Sequence, residues 1–312
     1  MRLLLGTCLA TAALLASACG HAATPPTGGG CRAPLQLVAL TDLGSGLYHG
    51  FQGGLYPGGK NTPPARYLAK GRAAAAHVIP RGPAGRPSPN GRIVLLSIGM
   101  SNAEEEFGAF DSLAARSDLD PHLTIVDGAQ GHDDARMASD PESPDWNVVL
   151  QRLNAAGVTP LQVQAVWLKE AIAFPSGPFP SDAQRLQSDL GTIVAILHHR
   201  FPNLRLVYVS SRTYGGYSKN RLNPEPYAYD SGFAVKWLIQ QRIDSRQPGP
   251  WLGWGPYLWA DGTNGRRDGF DWTCQDVGND GTHPSAAGSR KIGEVLLGFF
   301  RTDPTARPWF VG

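Results

Sequence analysis

From residue 92 onward, short apolar runs alternate with stretches in which apolar positions recur every three or four residues. The runs at 93–98, 123–126, 161–167 and 204–210 read as buried strands, and the stretches at 102–115, 145–156, 182–200, 231–243 and 285–300 read as helices. In the first helix Phe107, Phe110, Leu113 and Ala114 share one face, while Glu104, Glu105 and Glu106 fill the first turn, where the helix dipole favours anions. In the last helix Ile292, Val295, Leu296, Phe299 and Phe300 fall at helical spacing behind Ser285, a suitable N-cap. Such alternation predicts an α/β fold, a three-layer α/β/α sandwich around a parallel sheet. Residues 35–90 lack the alternation and carry the Gly-rich, aromatic run Tyr48 to Gly59, which predicts an irregular layer over the core. Within it Tyr48, Phe51 and Tyr56 either line a groove or pack inward; packing is favoured, because large rings usually serve as core. No internal repeat is evident.

The first residues follow another pattern: Arg2, an apolar run over 3–15, then small residues ending in Ala16-Ser-Ala-Cys19. This predicts an export signal over 1–18, a Gly/Pro/Thr spacer over 19–34 and a single folded domain over 35–312, with its motif core at 92–302. The same four residues fit a bacterial lipobox, so Cys19 is a lipidation candidate; the alternative is signal cleavage with release. Cys8 would leave with the signal, so Cys31 and Cys274 are the pair that can bridge in an oxidising compartment. The protein is thus expected to be exported, either as a cell-envelope lipoprotein tethered through Cys19 or as a secreted protein.

Composition narrows the partners. The net charge is +2 with 17% charged residues and no basic stretch, so nucleic acid is not an expected partner. Glycine and proline number 38 and 26 while 42% of the chain is hydrophobic, which suits structured loops on a compact scaffold rather than disorder. No Cys/His spacing of the zinc type is present, and no cofactor is expected.

Candidate chemistry lies at two places far apart in sequence. Asp280-Gly-Thr-His283-Pro sets a carboxylate three residues before an imidazole, and Pro284 biases His283 toward an extended backbone. The run 92–98 ends in Gly99-Met-Ser101-Asn, which delivers a serine to a strand-to-helix turn. A serine hydroxyl is a poor nucleophile until a neighbouring base takes its proton, and His283 oriented by an acid would be that base. Asp280 is the leading candidate for the acid; Asp271 and Asp276 are close enough in sequence to serve instead.

Together these segments resemble the SGNH (GDSL-type) hydrolases over residues 92–300. Ser101, in Gly-Met-Ser-Asn rather than Gly-Asp-Ser, matches the first block and is closer to the Gly-x-Ser-Asn form of sialate O-acetylesterase-like members. The stretch from Leu123 to Gly131 matches the second block, and the Asp280/His283 motif the last. The resemblance implies an oxyanion hole from the backbone N–H groups of Ser101 and Gly131 and a third donor after the third strand. Lys169 occupies that position where the family has Asn; otherwise it pairs with a carboxylate such as Glu170 or lies at the surface. Arg212 and Tyr214, after the fourth strand, are candidates for binding substrate, with a structural ion pair the alternative for Arg212. The aromatic stretch from Trp251 to Trp259 suits stacking on sugars or, preferably, a brace behind the His283 loop.

The resulting expectation is a serine ester hydrolase acting on O-acyl esters of small molecules or carbohydrates. A non-catalytic ligand-binding lipoprotein on the same fold is the alternative, with Lys169 marking lost chemistry. A third reading is a metal-assisted hydrolase that uses His132, Asp133 and Asp134 with the Asp280/His283 pair; there the run is otherwise a solvated turn or helix cap.

Overall fold

The computed structural model describes residues 34–245 and 248–311. Five strands build the central sheet: β1 (Ile93–Gly99), β2 (Leu123–Asp127), β3 (Val163–Lys169), β4 (Leu206–Val209) and β5 (Trp251–Trp254). All neighbours are parallel and lie in the order β2-β1-β3-β4-β5. Parallel strands flanked on both faces by helices are buried and mostly apolar, and every residue of β1, β3, β4 and β5 is buried, Ser97, Gln164 and Lys169 among them.

Among the described residues six longer helices accompany the sheet: α1 (Ala65–Ala75), α2 (Ser101–Ala114), α3 (Asp145–Ala155), α4 (Ser181–Arg200), α5 (Tyr227–Asp244) and α6 (Ala286–Thr302). From β1 the chain steps to β2 at one edge and then crosses back to β3. Right-handed connections running in opposite directions lie on opposite faces of a sheet. Accordingly α2 packs against α6, and α4 against α5. The α2–α6 layer is aromatic: Phe107 stacks on Trp167 of β3 at 5.6 Å between ring centroids, and Phe110 contacts Phe300 at 5.4 Å. Pairs of this kind contribute about 0.5–1.5 kcal/mol each beyond the area they bury.

The strand order turns at β1, so the crevice outside the carboxyl ends of β1 and β3 is where an open α/β sheet places its ligand site. The sandwich expected from the sequence is present, with two additions. Residues 65–75, inside the segment expected to be irregular, form α1; Gly71 brings it so close to β5 that a Cβ there would lie 2.6 Å from the Trp251 ring. The stretch expected to stack on sugars or, preferably, to brace the His283 loop supplies β5 itself, with Trp251, Trp254 and Trp259 all buried. Tyr48 packs inward, stacked on Phe233 at 5.5 Å, and Tyr56 is buried, as packing rather than groove lining requires.

The leader, Cys19 and Cys31 fall outside the described residues, and with Cys31 the bridge to Cys274. Among the described residues no helix is long and apolar enough to cross a membrane.

Candidate active site

Strand β1 and helix α2 meet with almost no spacing, and Gly99 makes that possible. A Cβ on Gly99 would sit 2.3 Å from the Ala103 Cβ and 2.6 Å from the Lys169 carbonyl oxygen. The chain therefore leaves the sheet through extended Met100 directly into α2, whose first residue is Ser101. The helix has no side-chain cap. Its first N–H groups thus remain free around the serine, and its dipole favours negative charge there.

The partner loop is built as a tight turn between Asp276 and Ser285. Gly278 N–H donates to the His283 carbonyl at 2.8 Å and Ser285 N–H to the Asp276 carbonyl at 2.9 Å. Gly281 has φ +70°, and a Cβ on it would fall 1.9 Å from the Tyr217 carbonyl oxygen, so only glycine fits. Ser285 caps α6 by accepting from Gly288 N–H at 3.2 Å, as the sequence pattern predicts. Inside this turn Asp280 Oδ1 accepts from the backbone N–H groups of Thr282 and His283, each at 3.0 Å. The other oxygen, Oδ2, meets His283 Nδ1 at 2.5 Å.

The far side of the ring reaches the serine: Ser101 Oγ and His283 Nε2 are 2.8 Å apart. Asp280, not its neighbours, orients the imidazole. Asp276 is taken up by Thr273 N–H at 2.8 Å and Lys291 Nζ at 2.7 Å, and Asp271 by Lys291 at 3.2 Å. The His283 and Asp280 side chains keep 32% and 35% exposure, so the dyad is open to a solute. For Asp280, burial pushes the pKa up, but the hydrogen bonds from Thr282 and His283 outweigh that and hold the carboxyl below its usual range.

Gly131 reaches the same place from β2. The Gln130 N–H donates to the Gly99 carbonyl at 2.8 Å, which pins the loop to the end of β1. A Cβ on Gly131 would lie 3.8 Å from the Ser101 Cβ, so this residue borders the nucleophile and leaves the adjoining space empty.

Lys169 is placed differently from the expected oxyanion donor. Its Nζ contacts both carboxylate oxygens of Glu106 at 2.7 and 2.5 Å, and the two side chains are 1% and 0% exposed. Burial pushes the ammonium's pKa down and the carboxyl's up, while their mutual contact opposes both. The pair therefore fastens α2 to the end of β3, and the reading of Lys169 as a carboxylate's partner is the one its geometry fits, with Glu106 in place of Glu170. Arg212 and Tyr214 are likewise buried, at 3% and 2% exposure. Arg212 lies in the field of Glu106, Glu225 and Glu170, the structural alternative to contact with substrate.

Asp134 accepts from Arg136 and Met137 N–H and pairs with Arg136, so it acts as a helix cap. His132 is outward and meets Asp145 at 2.9 Å. Neither converges on Asp280 and His283, and among the described residues no group of three ligating side chains is assembled.

Two residues essential to this geometry were given no role from the sequence. Asn102 donates its amide N–H to the Thr282 carbonyl at 2.8 Å and is buried, clamping α2 to the His283 turn. Arg152 of α3 donates to the carbonyls of Asp127 and Ala129 at 3.1 and 2.6 Å and to Glu104 at 3.0 Å, tying the Gly131 loop to α2. Asn102 had a signal, its place directly after the nucleophile; Arg152 had none.

No protein-family model matches the chain, and no curated protein matches it significantly. Among solved structures it is similar to protein YxiM from Bacillus subtilis, at 11% identity and TM-score 0.40, over 69% of this chain and 57% of that one. It is also similar to the periplasmic domain of a lipopolysaccharide acetyltransferase from Salmonella ser. Paratyphi A, at 14% identity and TM-score 0.41, over 74% and 94%. A third is the salicylyl-acyltransferase SsfX3 from a tetracycline biosynthetic pathway, at 16% identity and TM-score 0.38, over 70% and 58%. The chain thus spans little more than half the length of the first and third of these. The assignment as a parallel, doubly wound α/β domain rests on the strand order and register of this chain itself.

Proposed function

We propose that the protein is a serine ester hydrolase of the SGNH type, acting on O-acyl esters, with acetylated carbohydrate a suitable substrate class. The observation that carries this reading is the continuous chain from Ser101 Oγ through His283 to Asp280, at 2.8 and 2.5 Å. His283 Nε2 takes the Ser101 proton as Oγ bonds to the acyl carbon, and the same imidazole returns that proton to the departing alcohol oxygen. A water, deprotonated by His283, then attacks the acyl-serine; the carboxylic acid leaves and Ser101 regains its proton. The N–H groups of Ser101 and Gly131 supply the oxyanion donors, because Lys169 is committed to Glu106. The leader-like residues 1–18 support export, and Cys19 is the proposed lipid anchor.

The test is hydrolysis of p-nitrophenyl acetate by the mature protein beside Ser101→Ala and His283→Ala, with folding checked by circular dichroism. A fall of about 10³-fold or more in both variants is expected. A folded wild type that neither hydrolyses the ester nor labels at Ser101 with a fluorophosphonate would instead indicate a ligand-binding protein.

A further inference from the structure

Helix α2 carries three consecutive glutamates with three different fates, Glu104 in its first turn and Glu105 and Glu106 just beyond it. Glu104 pairs with Arg152 at 3.0 Å. Glu106 is sealed against Lys169. Glu105 is exposed, and among the described residues its carboxylate makes no hydrogen bond or ion pair. Its position is set by the helix: four residues beyond Ser101, it lies on the same face, one turn above the nucleophile. Of the charged groups acting on it His283 is foremost, and the others, Glu106, Asp280 and Glu104, are acids. An uncompensated negative charge thus stands beside the imidazole whose Nε2 faces Ser101.

We propose that Glu105 sets the charge preference of this site, favouring esters that carry a positive charge on the alcohol side and disfavouring anionic ones. The proposal deepens the serine-esterase reading and rests on it. Any substrate whose carbonyl reaches Ser101 brings its leaving alcohol next to His283, because that ring must protonate the departing oxygen. A charged group one or two bonds further along the alcohol then lies on the side of the site where the Glu105 and His283 charges act on each other. At an exposed site a unit charge at roughly 5–6 Å changes a rate by about three- to tenfold. The effect is selective because the two neighbouring glutamates are each matched by a cation.

The experiment compares kcat/KM for three acetate esters of similar shape: acetylcholine (cationic), 3,3-dimethylbutyl acetate (neutral) and 4-acetoxybutyrate (anionic). The wild type is expected to rank them in that order, about three- to tenfold per unit of charge, with the spread shrinking in about 0.5 M sodium chloride. Glu105→Gln should bring the ratios close to one, and Glu105→Lys should reverse the order. A cation-to-anion ratio unchanged in either variant overturns the proposal while leaving the esterase reading intact. Absence of Ser101-dependent hydrolysis of all three, and of p-nitrophenyl acetate, removes both together.

Discussion

The side-chain amide of Asn102 donates to the backbone carbonyl of Thr282 at 2.8 Å, so the residue after the nucleophile holds the residue before the base. This contact spans 180 positions of sequence and is fully buried on the Asn102 side. Asn102→Ala leaves the Thr282 carbonyl without this donor and frees the His283 turn to drift from Ser101. We expect kcat to fall about tenfold with little change in KM, and stability to fall by about 1–2 kcal/mol, read from steady-state kinetics and urea unfolding.

Asp280 performs two tasks with two oxygens: Oδ1 shapes the turn through two backbone N–H groups, and Oδ2 orients the imidazole. Asp280→Asn keeps the size but removes the charge that stabilises the imidazolium. The expected loss in kcat is about 10²–10⁴-fold on p-nitrophenyl acetate. Because the Asp280 carboxyl titrates below its usual range, it stays ionised at every pH above that range. Its stabilising contacts are therefore present above about pH 4 and are lost only as pH falls through the folded value. Activity between about pH 5 and 8 should not follow Asp280.

The Lys169–Glu106 pair predicts an asymmetry between single and double substitution. Removing one partner, as in Lys169→Met or Glu106→Gln, strands a buried group and is expected to cost about 3–5 kcal/mol. Replacing both with apolar residues, Glu106→Leu with Lys169→Met, should recover most of that loss in chemical denaturation. The folded double variant should keep more than about a tenth of the wild-type kcat. A loss of about 10²–10³-fold would instead mean that the ammonium serves the oxyanion after all.

Asp133 lies two residues beyond Gly131, nearly buried, with Oδ1 unpartnered. Burial first, and then the charge of Asp145, pushes its pKa up to about 7. Its carboxyl is ordinarily near 3.9 in an unfolded chain, so between about pH 4 and 7 the native state binds more protons than the unfolded state. Stability contributed by this group therefore falls as pH rises through that window. Asp133→Asn removes the titration: its thermal midpoint should drop less than the wild type's between pH 5 and 8. The variant should be more stable than wild type by ~2–5 °C at the upper end.

Much of this arrangement was legible in residue order because the informative positions obey local rules. Parallel strands buried on both faces leave mostly apolar runs, and α2 and α6 carry their apolar residues at helical spacing. The Asp280/His283 motif and Ser101 were visible because nucleophile, base and orienting acid are restricted to a few residue types. The boundaries of β3 were displaced because Thr159-Pro160 opens a 3₁₀ turn over Pro160–Gln162 before the strand begins. Strand β5 was hidden because Trp-Leu-Gly-Trp looks like any aromatic brace until its neighbour β4 is in place. The partner of Lys169 was illegible for a similar reason: Glu106 is 63 residues away and one of three adjacent glutamates, and only packing decides which faces the sheet. Arg152 and the fate of Glu105 depend on the same three-dimensional choice.

Every strand of the sheet lies before residue 255, yet the base and its acid come from a turn that begins at Asp276. A chain interrupted between those points would carry every strand and Ser101 but neither the base nor its acid, and that serine would be an ordinary alcohol. Chemical competence thus rests on a segment wholly outside the sheet, the closing turn and α6 settled against α2.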